Sequence, residues 1–230
     1  DAFKIHTADL SNPIFIKQVA AYGKRIDLSV GASTYSEIAD AISWINGVSD
    51  SDIWLMYGKQ LFPTDPSDAE IMQAVSIANV FDLPLGYQDH SDGDSKEAFF
   101  LPIAARGAGI LIQEKHITHN RALKGADHQA ALNPDEFAKF VSSIKIIDLA
   151  LGNACPHPFS EAETKYRIYS KKSLVAKNAL KKGDIIKEID LLSLRTKDLG
   201  LPPDCINLVV GKTLLRPIKA FSLVKQEDVK

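Results

Sequence analysis

Two histidines close two similar motifs, Gln88-Asp89-His90 and Glu114-Lys115-His116, each at the end of a short apolar run. Neutral imidazoles from neighbouring strand ends can ligate one divalent cation while water and substrate oxygens fill the remaining positions. On spacing alone, a loop histidine is more often a solvated residue or a structural hydrogen-bonder. His6 and His128 are rival ligands from the same pole, whereas His119 and His157 read as surface residues. A second chemistry lies beside the histidines. Lys4, Ser29, Gln60 and Gln88 offer a point charge and several neutral donors to a phosphate, and Gly31 lets backbone N–H groups approach it. The plain alternative leaves Lys4 on a solvated rim and Ser29 as a strand-end turn former. Asp89 and Glu114 are placed to brace the lysines and histidines next to them.

These residues matter together only if the chain brings them to one pole. From the N-terminus the sequence repeats a short apolar strand, a polar or Gly-containing turn and an amphipathic helix. Strands are expected at 3–5, 26–29, 53–56, 85–87 and 111–114, and helices at 13–21, 35–45, 68–81, 96–106 and 134–151. Two helix starts carry capping-box signals, Thr34 with Glu37 and Asn133 with Pro134 and Glu136. Such repetition predicts a parallel sheet covered by helices, an α/β fold. In a parallel barrel, reactive residues sit at the C-terminal strand ends, and the two histidine motifs and the candidate phosphate residues fall there. Periodicity alone does not separate a barrel from an open doubly wound sheet. The chain starts at Asp1 without an initiator Met and enters a strand at once. We therefore expect a (β/α)8 TIM-type barrel cut before its first three strands.

After Gly152 the pattern changes. Residues 153–172 show no sustained period and read as an ordered linker, and their charge run 165–172 as a solvated face. Beyond them, β-type runs at 173–176, 191–194 and 208–214 predict a small β-rich module, giving domains 1–152 and 173–230 joined by that linker.

Composition excludes several classes. A formal charge of -2 and a pI near 6.3 supply no basic field for nucleic acid. No apolar run approaches the roughly 18 residues of a membrane span, and the N-terminus is not laid out as a signal peptide. Cys155 and Cys205 lie far apart and in no metal-ligand spacing, as expected of two reduced thiols in a cytoplasmic protein.

The motifs resemble the sialic acid synthase family, which includes N-acetylneuraminate, legionaminate, pseudaminate and spore-coat polysaccharide synthases. The resemblance rests on Phe3-Lys4-Ile5 leading to Asp9, Leu28-Ser29-Val30-Gly31, Phe62-Pro63-Thr64, Leu85-Gly86-Tyr87-Gln88-Asp89-His90, and Glu114-Lys115-His116-Ile117-Thr118 before Gly125-Ala126-Asp127-His128. The tail, with Ser173-Leu174-Val175-Ala176, Lys181-Lys182-Gly183-Asp184 and Val210-Gly211-Lys212, resembles the family's antifreeze-protein-like (SAF, β-clip) domain. It covers the whole chain, starting about a third of the way into a family member.

The resemblance implies that His90 and His116 hold manganese or magnesium. It implies that Lys4, Thr7, Ser29, Gln60 and Gln88 face phosphoenolpyruvate, and that Asp9, Phe62, Asp127 and Arg195 face an N-acyl amino sugar. Arg195 would act across a domain-swapped homodimer. Several positions depart from the family pattern. His6-Thr7-Ala8-Asp9 replaces Gly-Ser-Gly-Glu, Tyr57-Gly58 replaces His-Cys, Gln60 replaces Asn, Gln88 replaces Ser, Phe62 replaces Tyr, and Thr196-Lys197-Asp198-Leu199 replaces Pro-Gly-Asn-Gly. The expected reaction is an aldol-like condensation of phosphoenolpyruvate with the open-chain sugar aldehyde, giving a nonulosonic acid and phosphate, with Asp9 placed to orient or deprotonate water. Two other readings start from the same residues: a metal-dependent barrel hydrolase, and a fragment that binds sugar or a partner without catalysis.

Overall fold

The strands alternate two kinds of residue, and the alternation decides which face the helices cover. The computed structural model describes residues 1–230 and divides them into two compact units, Asp1–Asn153 and Ala154–Lys230. In the first unit β1 (Ala2–Ile5), β2 (Arg25–Ser29), β3 (Ile53–Tyr57), β4 (Leu85–Asp89) and β5 (Ile112–Lys115) form one sheet in chain order. Every pairing is parallel. There is no reversal of strand order, so the sheet follows the barrel pattern and lacks the switch point of a doubly wound fold.

Between the strands run α1 (Pro13–Ala20), α2 (Tyr35–Asn46), α3 (Ile71–Phe81) and α4 (Glu97–Gly107), and α5 (Pro134–Leu151) follows β5. Ile5, Leu28, Leu55 and Leu85 are register partners in turn, and so are Tyr57 and Tyr87. This row packs against Ile16 and Ala20 of α1, Ile38, Ala41 and Ile45 of α2, Ala74 and Ile77 of α3, and Ala105 of α4. Removing each leucine or isoleucine of this set from water is worth about 1.5–3 kcal/mol, and each alanine less than that. The row therefore fixes which way every other residue points. Lys4 pairs in register with Asp27, Ser29 with Met56, Met56 with Gly86, and Gln88 with Glu114. These residues form the opposite face.

That face is concave. Lys4 Nζ on the first strand is ion-paired with Glu114 on the fifth. Four strand spacings laid flat would separate them by about 19 Å, while the two side chains together reach only about 10 Å. The sheet must curl, as a half-barrel does.

Helix starts follow the sequence closely. Thr34 caps α2 through a reciprocal box with Glu37, whereas at the start of α5 only Glu136 reaches back, accepting from Asn133 N, while the Asn133 side chain accepts from Arg121 N. The expected helix at 68–81 is shorter: Pro66–Asp68 forms a 3-10 turn, Glu70 takes a left-handed φ of 42°, and only then does α3 begin. The fifth strand lies one residue later than expected, which brings Lys115 into the ladder and leaves Leu111 exposed.

In the second unit the expected linker contains a helix, α6 (Glu161–Ser170), started by a capping box between Ser160 and Glu163. It buries no residue, so no apolar period announces it. β6 (Lys172–Ala176) pairs antiparallel with β7 (Leu191–Arg195) over a core of Leu174, Ile186, Val209, Leu214, Ile218 and Val224. The strand expected at 208–214 does not form. A 3-10 segment, Pro203–Leu208, takes in its first residue, Gly211 turns the chain at φ 76°, and Thr213 and Leu214 make only isolated bridges. No helix is long and apolar enough to cross a membrane.

Candidate active site

Strand parity carries His90 and His116 to the concave side. His90 follows Gln88 by two and His116 follows Glu114 by two, so both continue the row that faces away from the helices. Their ring centroids lie 5.3 Å apart, within reach of one shared cation. His90 Nδ1 is 2.6 Å from the Lys59 carbonyl oxygen. A carbonyl only accepts, so Nδ1 carries the proton and the Nε2 lone pair is left to ligate. Burial pushes the His90 pKa down and favours this neutral form. A hydrogen bond that fixes the tautomer of a buried imidazole is the usual support behind a metal-bound histidine, and the donor pair fits a divalent cation. Phe62, 39 % exposed, packs on His90 at 4.3 Å and against His116 at 5.7 Å between centroids, covering one side of the pair. No group of three or more His, Cys, Asp or Glu is arranged to hold a metal ion. A cation held here would take two protein ligands and complete its shell with oxygens.

Three of the residues expected to face an anion form a connected row with Glu114. Ser29 Oγ donates to Gln88 Oε1 at 2.8 Å, Gln88 Nε2 donates to Glu114 Oε1 at 3.1 Å, and the same carboxylate accepts from Lys4. Ser29 and Gln88 are buried, while Lys4 is exposed. Glu114 thus braces Lys4 and Gln88. Asp89 also braces a lysine, Lys115, but on the face turned toward the helices. The strand ends approach each other so closely that side chains are excluded. A methyl at Gly31 would press on the Gly58 carbonyl, and one at Gly58 would stand 2.7 Å from Gln88 Cβ and closer still to its carbonyl oxygen.

The other expected site residues divide by position. Thr7 and Asp9 share a 3-10 turn after β1, and Thr7 Oγ1 donates to the Gly31 carbonyl. Gln60 is half-buried beside Gly58, its amide 3.4 Å from the Gly58 carbonyl. Asp127 is exposed, with a left-handed φ of 52°, in the loop after β5. Arg195 ends β7 in the second unit and is exposed. The rival histidines have local partners: His6 Nδ1 accepts from Ala8 N, and His128 Nδ1 donates to Gly125 O at 2.9 Å.

Two features were not found from sequence. The Asp89–Lys115 ion pair is buried behind the histidines, both side chains 1 % exposed, with Ser91 Oγ donating to Asp89 at 2.8 Å. Burial lowers the Lys115 pKa against the opposing pull of Asp89. The second is Arg121, which bridges Asp94, Glu136 and the Ala131 carbonyl and anchors the loop that carries Asp127. Asp89 was expected to brace a neighbouring lysine or histidine, and alternation puts it with Lys115 on the helix-covered face, but nothing in the sequence marks the two as a buried pair.

Comparison with known proteins agrees along the whole chain. Residues 1–155 match the NeuB family and residues 171–230 match the SAF domain. An N,N'-diacetyllegionaminic acid synthase of Campylobacter jejuni is 29 % identical over 226 residues, covering 97 % of this chain and 66 % of that protein. A crystallised N-acetylneuraminic acid synthetase of Leptospira borgpetersenii, 30 % identical, superposes with a TM-score of 0.64 over 72 % of this chain and 57 % of its own. The Bacillus subtilis spore coat polysaccharide biosynthesis protein, 26 % identical, does so at 0.61 over 100 % of this chain and 67 % of its own. The chain spans slightly less than two thirds of the length of the Campylobacter relative.

Proposed function

The chain belongs to the NeuB family, and from that premise we propose that it serves in the condensation of phosphoenolpyruvate with an N-acylated amino sugar, yielding a nonulosonic acid and phosphate. The observation that carries the reading is the pair of imidazoles 5.3 Å apart, beside a hydrogen-bonded row from buried Ser29 and Gln88 through half-buried Glu114 to Lys4. His90 and His116 would hold manganese or magnesium. When bound, that ion supplies Lewis acidity toward the sugar aldehyde.

The chain's own residues do the rest. Lys4 offsets the phosphate charge, trading its contact with Glu114 for the ligand, and Ser29, Gln88, Thr7 and Gln60 offer neutral donors. The new carbon–carbon bond joins C3 of phosphoenolpyruvate to the aldehyde carbon, whose oxygen takes up a proton. Water then bonds to C2, and the C2–O bond to phosphate breaks. Asp9 orients or deprotonates that water. Phe62 keeps bulk water off the histidines, where electrostatic contacts are then stronger. Asp127 holds the sugar, and Arg195 does so from the small domain of a partner in a domain-swapped homodimer. The legionaminic and N-acetylneuraminic acid synthases among the relatives support this substrate class, and the protein would work in the cytoplasm.

The test is phosphate release from phosphoenolpyruvate with N-acetylated mannosamine, altrosamine and diamino sugars, with and without manganese. We expect metal-dependent release with one sugar class and its loss in His116→Ala. Release that keeps full metal dependence in His116→Ala would refute the ligand assignment.

A further inference from the structure

We infer that the buried Asp89–Lys115 ion pair is a positioning clamp that sets the separation of His90 and His116. The inference rests on the two-histidine reading above and adds two residues to it. Asp89 and Lys115 are partners in the last rung of the β4–β5 register. The next residue on each strand is a histidine. Beyond that rung the two chains are drawn to different neighbours: the His90 carbonyl accepts from Thr64 N at 2.8 Å, and the His116 carbonyl accepts from Leu132 N at 2.9 Å. The contact that joins the strands just before they part is therefore the ion pair, on the side away from the site, with both side chains 1 % exposed. Ser91 Oγ and N close around Asp89 at 2.8 and 3.2 Å and hold its carboxylate toward Lys115.

A buried ion pair adds little stability over apolar groups of the same volume, so stability alone gives a weak reason to place two charges there. A cross-strand clamp gives a stronger one, because relative sliding or opening of β4 and β5 changes the ring separation directly. The clamp touches neither substrate nor metal and acts only through the backbone of its two neighbours.

The experiment compares the unsubstituted protein with the double variant Asp89→Asn/Lys115→Met, which removes both charges and nearly keeps the volume. Manganese binding is measured by titration, ligand geometry by the visible spectrum of the cobalt form, and the fold by thermal melting. We expect a melting temperature within about 5 °C of the parent, manganese binding about tenfold weaker, and displaced cobalt bands. A double variant that binds manganese as tightly as the parent with an unchanged cobalt spectrum overturns the clamp. If that variant does not fold, Ser91→Ala keeps both charges and loosens Asp89. About threefold weaker manganese binding is then expected, and unchanged binding overturns the clamp. A parent protein that takes up neither metal overturns the two-histidine reading and the clamp with it, whereas equal uptake by parent and variant overturns the clamp alone.

Discussion

Replacing Gly58 with Ala tests whether the strand ends beneath the site are as closely packed as the structure requires. The added methyl would stand 2.7 Å from Gln88 Cβ and closer to the Gln88 carbonyl oxygen, both on the neighbouring strand. Carbon atoms in contact settle at about 3.5–4.0 Å, so the ends of β3 and β4 must part by about 1 Å. A backbone hydrogen bond stretched by that much passes out of range, and the last rung there, Tyr57 with Tyr87, lies directly beside it. Overpacking of this kind costs about 1–3 kcal/mol, a fall of roughly 2–12 °C in melting temperature for a chain this size. Gln88 and His90 ride on the displaced strand, and a shift of about 1 Å at reacting groups costs about 100-fold in rate. Gly107→Ala is the control, since a methyl there meets nothing within 4 Å at the end of α4. Helix propensity favours it by up to about 1 kcal/mol. Thermal melting and metal-dependent phosphate release on both variants decide the matter. Unchanged melting and full activity in Gly58→Ala, or equal damage in both variants, would refute the packing argument.

Other expectations follow from single contacts. Arg121 holds the Glu136 carboxyl at about 2, below its ordinary 4.5. A depressed acid stabilises the fold fully above pH 4.5 and loses that contribution as pH falls through about 2. After discounting for its partly exposed position, the contribution is roughly 1–2 kcal/mol, so Glu136→Gln should lower urea stability at pH 7 and make little difference near pH 2. Equal loss at both values would contradict the sign. Helix α6 buries no residue and depends on its Ser160 cap. Ser160→Ala should cost about 1 kcal/mol locally, speeding amide exchange in 161–170 while the global melting temperature stays put; a large global drop would show that α6 is packed more tightly than this.

The first unit was legible because its strands present two unlike rows. The apolar row of Ile5, Leu28, Leu55 and Leu85 announces the helix-covered face, and the polar ends announce the pole. The capping signals at Thr34–Glu37 and Asn133–Glu136 set helix starts to the residue, although at Asn133 only the Glu136 half of the box forms. In the second unit this signal fades. Helix α6 shows no apolar stripe, although its Ser160–Glu163 box was there to be read. The apolar stretch around Val209 looks like a strand but is interrupted by Gly211. At the site, residue types and strand ends picked out two histidines that lie together and the Lys4, Ser29 and Gln88 positions that Glu114 joins in one row. The hydrogen bond that fixes the His90 tautomer and the Asp89–Lys115 pair depend on distances between strands that no linear pattern encodes.

Anomalous scattering from a manganese-loaded crystal tests the central claim most directly. The account predicts one peak about 2.0–2.3 Å from a ring nitrogen of both His90 and His116, with Nε2 the ligating atom of His90. A peak bound to only one of them, or placed elsewhere in the chain, would contradict it.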